Sequence, residues 1–375
     1  MRARLPFMAQ PATPDHGRGD EAVTPSTVSN EPKRTIMLRK PYLVFLADAD
    51  SSTLAKTAFG LRDWCPNDVV GQMRLAGAAI DLGVPEMNAA EARAAGIGSL
   101  VIGVASFGGA LPETWYPSLF AAVEAGLDIV SGMHQRLSDV PGLAVHAAHH
   151  GVTLHDIRHP GTRFAVGTGR KRSGQRLLTV GTDCALGKKY TALAITKSLK
   201  ARGIAADFRG TGQTGIMIAG SGIPIDAVVS DFVAGAAEAL SPDAAADHWD
   251  VIEGQGALFH PAYAAVTLGL LHGSQPDALV LCHDPARRHI EGYPDFPIVD
   301  LAVAMARYRE AAWLTNPAAR FVGISLNTAK FPADTAFAIM GDYADRYGLP
   351  VFDPIRTGAD ILADTMLATA TEAMS

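Results

Sequence analysis

The stretch Arg176–Gly203, RLLTVGTDCALGKKYTALAITKSLKARG, restricts the fold of this 375-residue chain more than any other. Leu177, Leu178 and Val180 make a short apolar run suited to a buried strand. A glycine-bounded turn follows (Gly181, Thr182, Asp183, Cys184, Ala185, Leu186, Gly187), and then Lys188. Apolar Leu193, Ile195 and Leu199 precede Gly203, which suits a helix with a glycine stop. Strand, turn, lysine and helix in that order make an anion cradle. Successive backbone N–H groups and the helix N-terminus converge on one point, and the lysine adds a mobile charge. An ordinary tight turn would need none of this order.

The remaining chain alternates strands with helices. In the first half Pro41–Ala49 (PYLVFLADA), Ser99–Val104, Asp128–Ser131 and Val152–Leu154 read as strands. Ser51, Ser52 and Thr53 can cap a helix holding Leu54, Ala58 and Leu61, and further helices fit Glu91–Gly96 and Leu119–Ala125. This alternation predicts an α/β fold with a parallel, Rossmann-like sheet, without the GxGxxG fingerprint of dinucleotide binding. Open sheets of this kind place ligands at strand ends, which makes Asp48, Arg62, Asn67, Ser106, Gly108, His134 and Arg136 candidate site members; capping and surface hydrogen bonding are their commoner uses. His146, His149, His150, His155 and His159 lack carboxylates or cysteines at ligand spacing, so they read as linker surface rather than a metal site.

Gly161–Gly174 is glycine-rich, basic and aperiodic, the best boundary in the chain. After the cradle, strands fit Ile204–Phe208, Trp249–Ile252, Ala278–Cys282 and Phe321–Leu326, with helices at Asp226–Leu240, Leu301–Trp313 and Ala359–Ala368. The expected division is a disordered tail over residues 1–36, a Rossmann-like domain over 37–160 and a P-loop NTPase-like parallel-sheet domain over 161–375. A hydrophobic fraction of 48% with 19% charged residues supports two real cores. The net charge of −6 gives no general attraction for nucleic acid or an anionic membrane, and no apolar run reaches the length of a membrane span. Cys65, Cys184 and Cys282 form no CxxC pair, against a disulfide framework or zinc site. The expectation is a cytoplasmic protein, a possible homo-oligomer, acting on a small molecule.

Five residues separate Gly181 from Gly187, one more than in the common P-loop. The longer loop resembles that of dethiobiotin synthetase and its relatives. Glu253-Gly254-Gln255-Gly256 resembles their glutamate–glycine turn opposite the phosphates, and Asn327 stands where those enzymes contact the base. Where a nucleoside triphosphatase carries Ser or Thr to hold Mg²⁺, this chain has Lys189, whose ammonium ligates no metal. Mg²⁺ is therefore doubtful, and the cradle suits a pyrophosphate-bearing carrier such as coenzyme A.

The runs VGTDCALGKKYTAL, RGTGQTGIMIAGSGIPIDAVVSDFVAGAAE, VIEGQGALFHPAYAAVTLGLLHG and PDALVLCHDP resemble a P-loop family long known only as a domain of unknown function. Some of its members are DgcN-type D-glutamate N-acetyltransferases. PYLVFLADA, GLRDWCPNDVVGQ and LVIGVASFGGALPETW resemble the same family's partner domain, so the likeness runs from Met37 nearly to the end. It implies acetyl transfer from acetyl-CoA to the amine of D-glutamate, in D-amino-acid catabolism. The rivals are an ATP-dependent carboxylate ligase of the dethiobiotin-synthetase type and a non-catalytic nucleotide-binding regulator.

Such a transfer needs a base for the substrate ammonium, donors for an oxyanion, and cations for two carboxylates. Glu253 and His260 are the leading bases; the alternative is a helix cap or an ion pair with Lys188 for Glu253, and a helix cap for His260. Arg209, Gln213, Thr214 and Arg287 (or Arg288) are the substrate-binding candidates, with surface salt bridges as the alternative for the arginines. The cofactor set is Gly181, Thr182, Asp183, Cys184, Ala185, Leu186, Gly187, Lys188, Lys189, Tyr190, Thr191 and Asn327. An acetyl-cysteine on Cys184 is a conceivable detour; direct transfer is simpler.

Overall fold

The computed structural model describes residues 38–52, 54–106, 109–159 and 163–372. The expected tail, Thr53, Gly108 and the first residues of the Gly161–Gly174 boundary lie outside them.

The first sheet comprises β1 (Tyr42–Ala47), β2 (Val69–Arg74), β3 (Ser99–Ile102), β4 (Asp128–Ser131) and β5 (Leu154–Asp156). Its order is β2-β1-β3-β4-β5, and every pairing is parallel. All of β1 is buried, as its unbroken apolar run requires when helices cover both faces. Those helices are α1 (Lys56–Trp64), α2 (Ala89–Ala94), α3 (Tyr116–Glu124) and α4 (Leu143–His150). The winding reverses between β1 and β3, and α1 starts beside that switch point, where doubly wound sheets bind ligands.

The second sheet comprises β6 (Gln175–Gly181), β7 (Ala206–Arg209), β8 (Trp249–Ile252), β9 (Ala278–His283), β12 (Arg320–Leu326) and β13 (Val351–Phe352). It is parallel throughout in the order β13-β12-β9-β6-β8-β7, which puts the cradle strand in the middle. Between β9 and β12 a short antiparallel hairpin forms from β10 (His289–Ile290) and β11 (Tyr293–Pro297). The helices are α5 (Lys188–Ala201), α6 (Gln213–Ala219), α7 (Val233–Leu240), α8 (Ala264–Ser274), α9 (Leu301–Trp313), α10 (Ala333–Tyr347) and α11 (Asp360–Glu372).

Several local expectations are corrected. The histidine-rich stretch is α4 and β5, not linker: Gly142 and Gly151, both left-handed, bound the helix that carries His146, His149 and His150. Asp226–Leu240 is helical only from Val233, after two 3₁₀ turns. The basic boundary segment and the strand after it each hold a buried arginine: Arg172 donates to the carbonyls of Ser241 and Gly273, and Arg176 in β6 to those of Arg172, Ser173 and Pro242. A guanidinium carries five donors, and here it gathers carbonyls rather than solvent.

Helix α6 joins the two sheets. Ile216 and Met217, wholly buried, belong to the apolar core of the first sheet although they follow β7 of the second. Burying two such side chains contributes roughly 1.5–3 kcal/mol each. Thr57 and Thr214 hydroxyls meet at 2.9 Å, and Arg158 donates to Gly132 O, Gln213 Oε1 and Asp226.

Candidate active site

Strand β6 delivers the chain to the cradle with its turn already anchored. Thr182 N–H donates to Cys282 O at 3.2 Å, and its hydroxyl meets His283 Nδ1 at 2.9 Å. The buried Asp183 carboxylate accepts N–H from Cys184 and Glu291 and a guanidinium N–H from Arg287 at 2.7 Å. Asp183 and Arg287 are thus clamps beneath the loop. Gly187, the residue before α5, has φ 100°, a conformation open to glycine at little cost.

Lys188 opens α5. Its ammonium is buried and donates to Asp183 O at 2.9 Å, and burial pushes its pKa down. Burial does the same to Lys189, although Glu253 nearby favours its charge. Thr191, the next aliphatic hydroxyl along the helix, bonds to Ser325 Oγ at 2.7 Å in the buried interior.

Glu253 follows β8 and is 5% exposed. Its Oε2 accepts the N–H groups of Thr211 (2.9 Å) and Gly212 (3.0 Å), so it holds the turn that starts α6, as a capping residue does. Among the described residues Oε1 has no hydrogen-bond partner. Burial raises the carboxyl pKa, opposed by Lys189 and the two N–H donors.

These parts face one cavity of about 560 Å³. Cys184–Tyr190, Gly212–Thr214, Glu253–Gly256 and Asn327 supply one wall, and Leu54, Lys56, Thr57, Ala105 and Arg158 from the first sheet's half supply the other. Glu253, Gln213, Thr214, Lys188, Lys189 and Asn327 are therefore brought together as the sequence suggests. Gly181, Thr182, Asp183 and Thr191 support the cradle from beneath.

Besides these four, three more expected residues do not line this cavity. Arg209 donates to Asp250 at 2.7 Å across the β7–β8 pair. Arg287 is engaged by Asp183. His260 lies behind the loop between the rings of Tyr263 and Tyr293; its Nδ1 accepts Ala262 N–H, and its Nε2 is 4.0 Å from Asp183. Asp183, Cys184 and His260 offer atoms within 4.8 Å of one another, but Arg287 already supplies the cation that this carboxylate holds. Burial pushes the Cys184 thiol up, the wrong direction for a nucleophile at neutral pH. Lys56, Thr57, Ala105 and Arg158 are the cavity residues that no motif announced; only the rule that ligands sit at strand ends and switch points could have found them.

His283 gives the cradle a pH dependence. Burial, aided by Arg287 and Arg288, pushes its imidazole from 6.5 down to about 4. A folded pKa below the unfolded one means that the unfolded chain binds the proton first. Stability is therefore full above pH 6.5 and is lost as pH falls through about 4, by about 3 kcal/mol from this group. In His283→Gln, denaturation followed from pH 6.5 to 4 is expected to show a drop smaller by that amount; an unchanged drop would exclude this histidine as the source.

Comparison with known proteins places these features in a group. Residues 163–363 match a family model described as "Domain of unknown function (DUF1611_C) P-loop domain", and residues 73–160 match "Domain of unknown function (DUF1611_N) Rossmann-like domain". A D-glutamate N-acetyltransferase of Tritonibacter scottomollicae is 48% identical over 332 residues, 88% of this chain and 100% of that one. Another, from Pseudoalteromonas sp, is 45% identical over 327 residues, 87% of this chain and 98% of that one. The crystal structure of a DUF1611 family protein from Anabaena variabilis matches with a TM-score of 0.79 at 33% identity, over 88% of this chain and 99% of that one.

Proposed function

This chain belongs to the DUF1611 family, a Rossmann-like domain joined to a P-loop domain, and we propose that it is a D-glutamate N-acetyltransferase whose acetyl donor is acetyl-CoA. One observation carries the mechanism: the cradle opens on a cavity lined by Glu253, which is pinned through one carboxylate oxygen while the other has no hydrogen-bond partner among the described residues. Lys189 at the metal-holding position of the loop favours an anion held for its own sake over phosphoryl transfer.

The residues present fit the carrier. The N–H groups of the loop and the Lys188 ammonium would hold its pyrophosphate, and Asn327 its base. The carrier supplies an acetyl thioester. The overall reaction forms an N–C bond, breaks a C–S bond and releases the thiol, after the acceptor ammonium has lost a proton. Glu253 Oε1 receives that proton. The amide oxygen of Gln213 is held by Arg158, which leaves its NH₂ end as a donor for the developing oxyanion.

Thiol release from acetyl-CoA that depends on D-glutamate tests the activity. Phosphate release from ATP that depends on a carboxylate substrate, without thiol release, would replace it with the ligase. Lys188→Ala is expected to raise KM for acetyl-CoA about 10–100-fold, the worth of one charge-assisted hydrogen bond, with a much smaller change in kcat. An unchanged KM would take the cradle out of the account.

A further inference from the structure

A second cavity of about 600 Å³ adjoins the first and shares Arg158 and Asp226 with it. Arg136, Arg163, His134 and His159 complete its polar lining. Asp226 is already engaged by Arg158. Among the described residues, neither Arg136 nor Arg163 has a carboxylate within salt-bridge distance, so both guanidiniums line this cavity without a paired counter-charge. Both are exposed, which leaves the cavity open to entry from solvent.

Strand order fixes how the two cavities relate. Across the carboxyl edge of the second sheet come Asn327 after β12, the cradle after β6, Glu253 after β8 and Gly212–Thr214 after β7. Arg158 bonds both Gln213 of that last turn and Asp226, so these two attach at the Gly212–Thr214 end of the row, whereas Asn327 stands at its other end. A carrier with its base at Asn327 and its pyrophosphate in the cradle therefore points its acyl end past Glu253 toward the wall that the two cavities share.

We propose that the second cavity is the acceptor subsite, built for an amino dicarboxylate. Arg136 and Arg163 take one carboxylate each through bidentate pairing, and the ammonium faces the Asp226 and Glu253 side. This rests on the acetyltransferase reading and adds where its acceptor sits and why a dicarboxylate is chosen.

Arg136→Gln and Arg163→Gln, made singly in the full chain, are expected each to raise KM for D-glutamate about 10–100-fold, with KM for acetyl-CoA and the melting temperature unchanged. With D-2-aminobutyrate, which lacks the second carboxylate, only one of the two variants should differ from wild type. Wild-type KM for D-glutamate in both variants, or a rise in KM for acetyl-CoA instead, would overturn the subsite. Titration calorimetry with D-glutamate separates this from the parent reading, because it needs no turnover. If the wild type releases no thiol yet binds D-glutamate and the variants do not, the acetyltransferase reading falls and the subsite stands. Equal binding by all three proteins, or by none, sinks the subsite.

Discussion

Glu253→Gln is expected to lower kcat about 10²–10⁴-fold, the usual worth of a positioned general base, with little change in either KM. The substitution is close to ideal for this site. The glutamine carbonyl can still accept the N–H groups of Thr211 and Gly212 that Oε2 accepts, so the turn into α6 stays in place. Only the free oxygen, Oε1, becomes an NH₂ that takes no proton. Because burial raises the Glu253 pKa, the wild-type kcat should fall on the acid side above the ordinary carboxylate range, and this limb should vanish in the variant. A wild-type rate in Glu253→Gln leaves the residue a structural cap and nothing more.

The second large effect is on folding. A Cβ on Gly254 would stand 1.7 Å from the Thr179 carbonyl oxygen and 3.0 Å from Lys188 Cδ. The first neighbour is main chain, so β8 can admit the methyl only by moving away from β6 beside the cradle. Gly254→Ala is expected to destabilise the protein by about 3 kcal/mol or more and to raise KM for acetyl-CoA as well. Gly341→Ala is the control: in α10 a Cβ meets nothing within 4 Å, and the gain in helix propensity should stabilise by roughly 0.5–1 kcal/mol. Chemical denaturation of the pair checks both. Equal stabilities would mean that the sheet yields at Gly254 far more readily than its packing indicates.

The cradle was legible because its chemistry is contiguous: strand, turn, lysine and helix stand side by side in the chain. Glu253 was legible for a related reason, since it ends a short apolar strand and begins a glycine turn. The arginines were not, because a guanidinium's role depends on its partner. Asp250 lies 41 residues from Arg209, and Asp183 lies 104 from Arg287; both pairings come from sheet order and the hairpin, not from local spacing. Helix α6 was hidden by Gly215 within it and by Gly212 and Gly220 at its ends. Gly215 would be a poor choice for helix propensity alone, but a Cβ there would come within 2.1 Å of Glu253 Oε2, so the carboxylate dictates the residue. Strand β2, at the sheet edge, mixes residues of opposite character: Gly71, Gln72 and Arg74 interrupt its apolar run, which conceals it from periodicity.

Helix α6 also bears on how such a protein can change over generations. Ile216 and Met217 are encoded with the P-loop half yet complete the interior of the other. A recombination that kept the first half and drew the second from an unrelated gene would inherit a vacancy in its interior, and the donated half would carry an oily helix with nowhere to go. The two halves are thus poor candidates for shuffling as cassettes; they must be passed on, and altered, together.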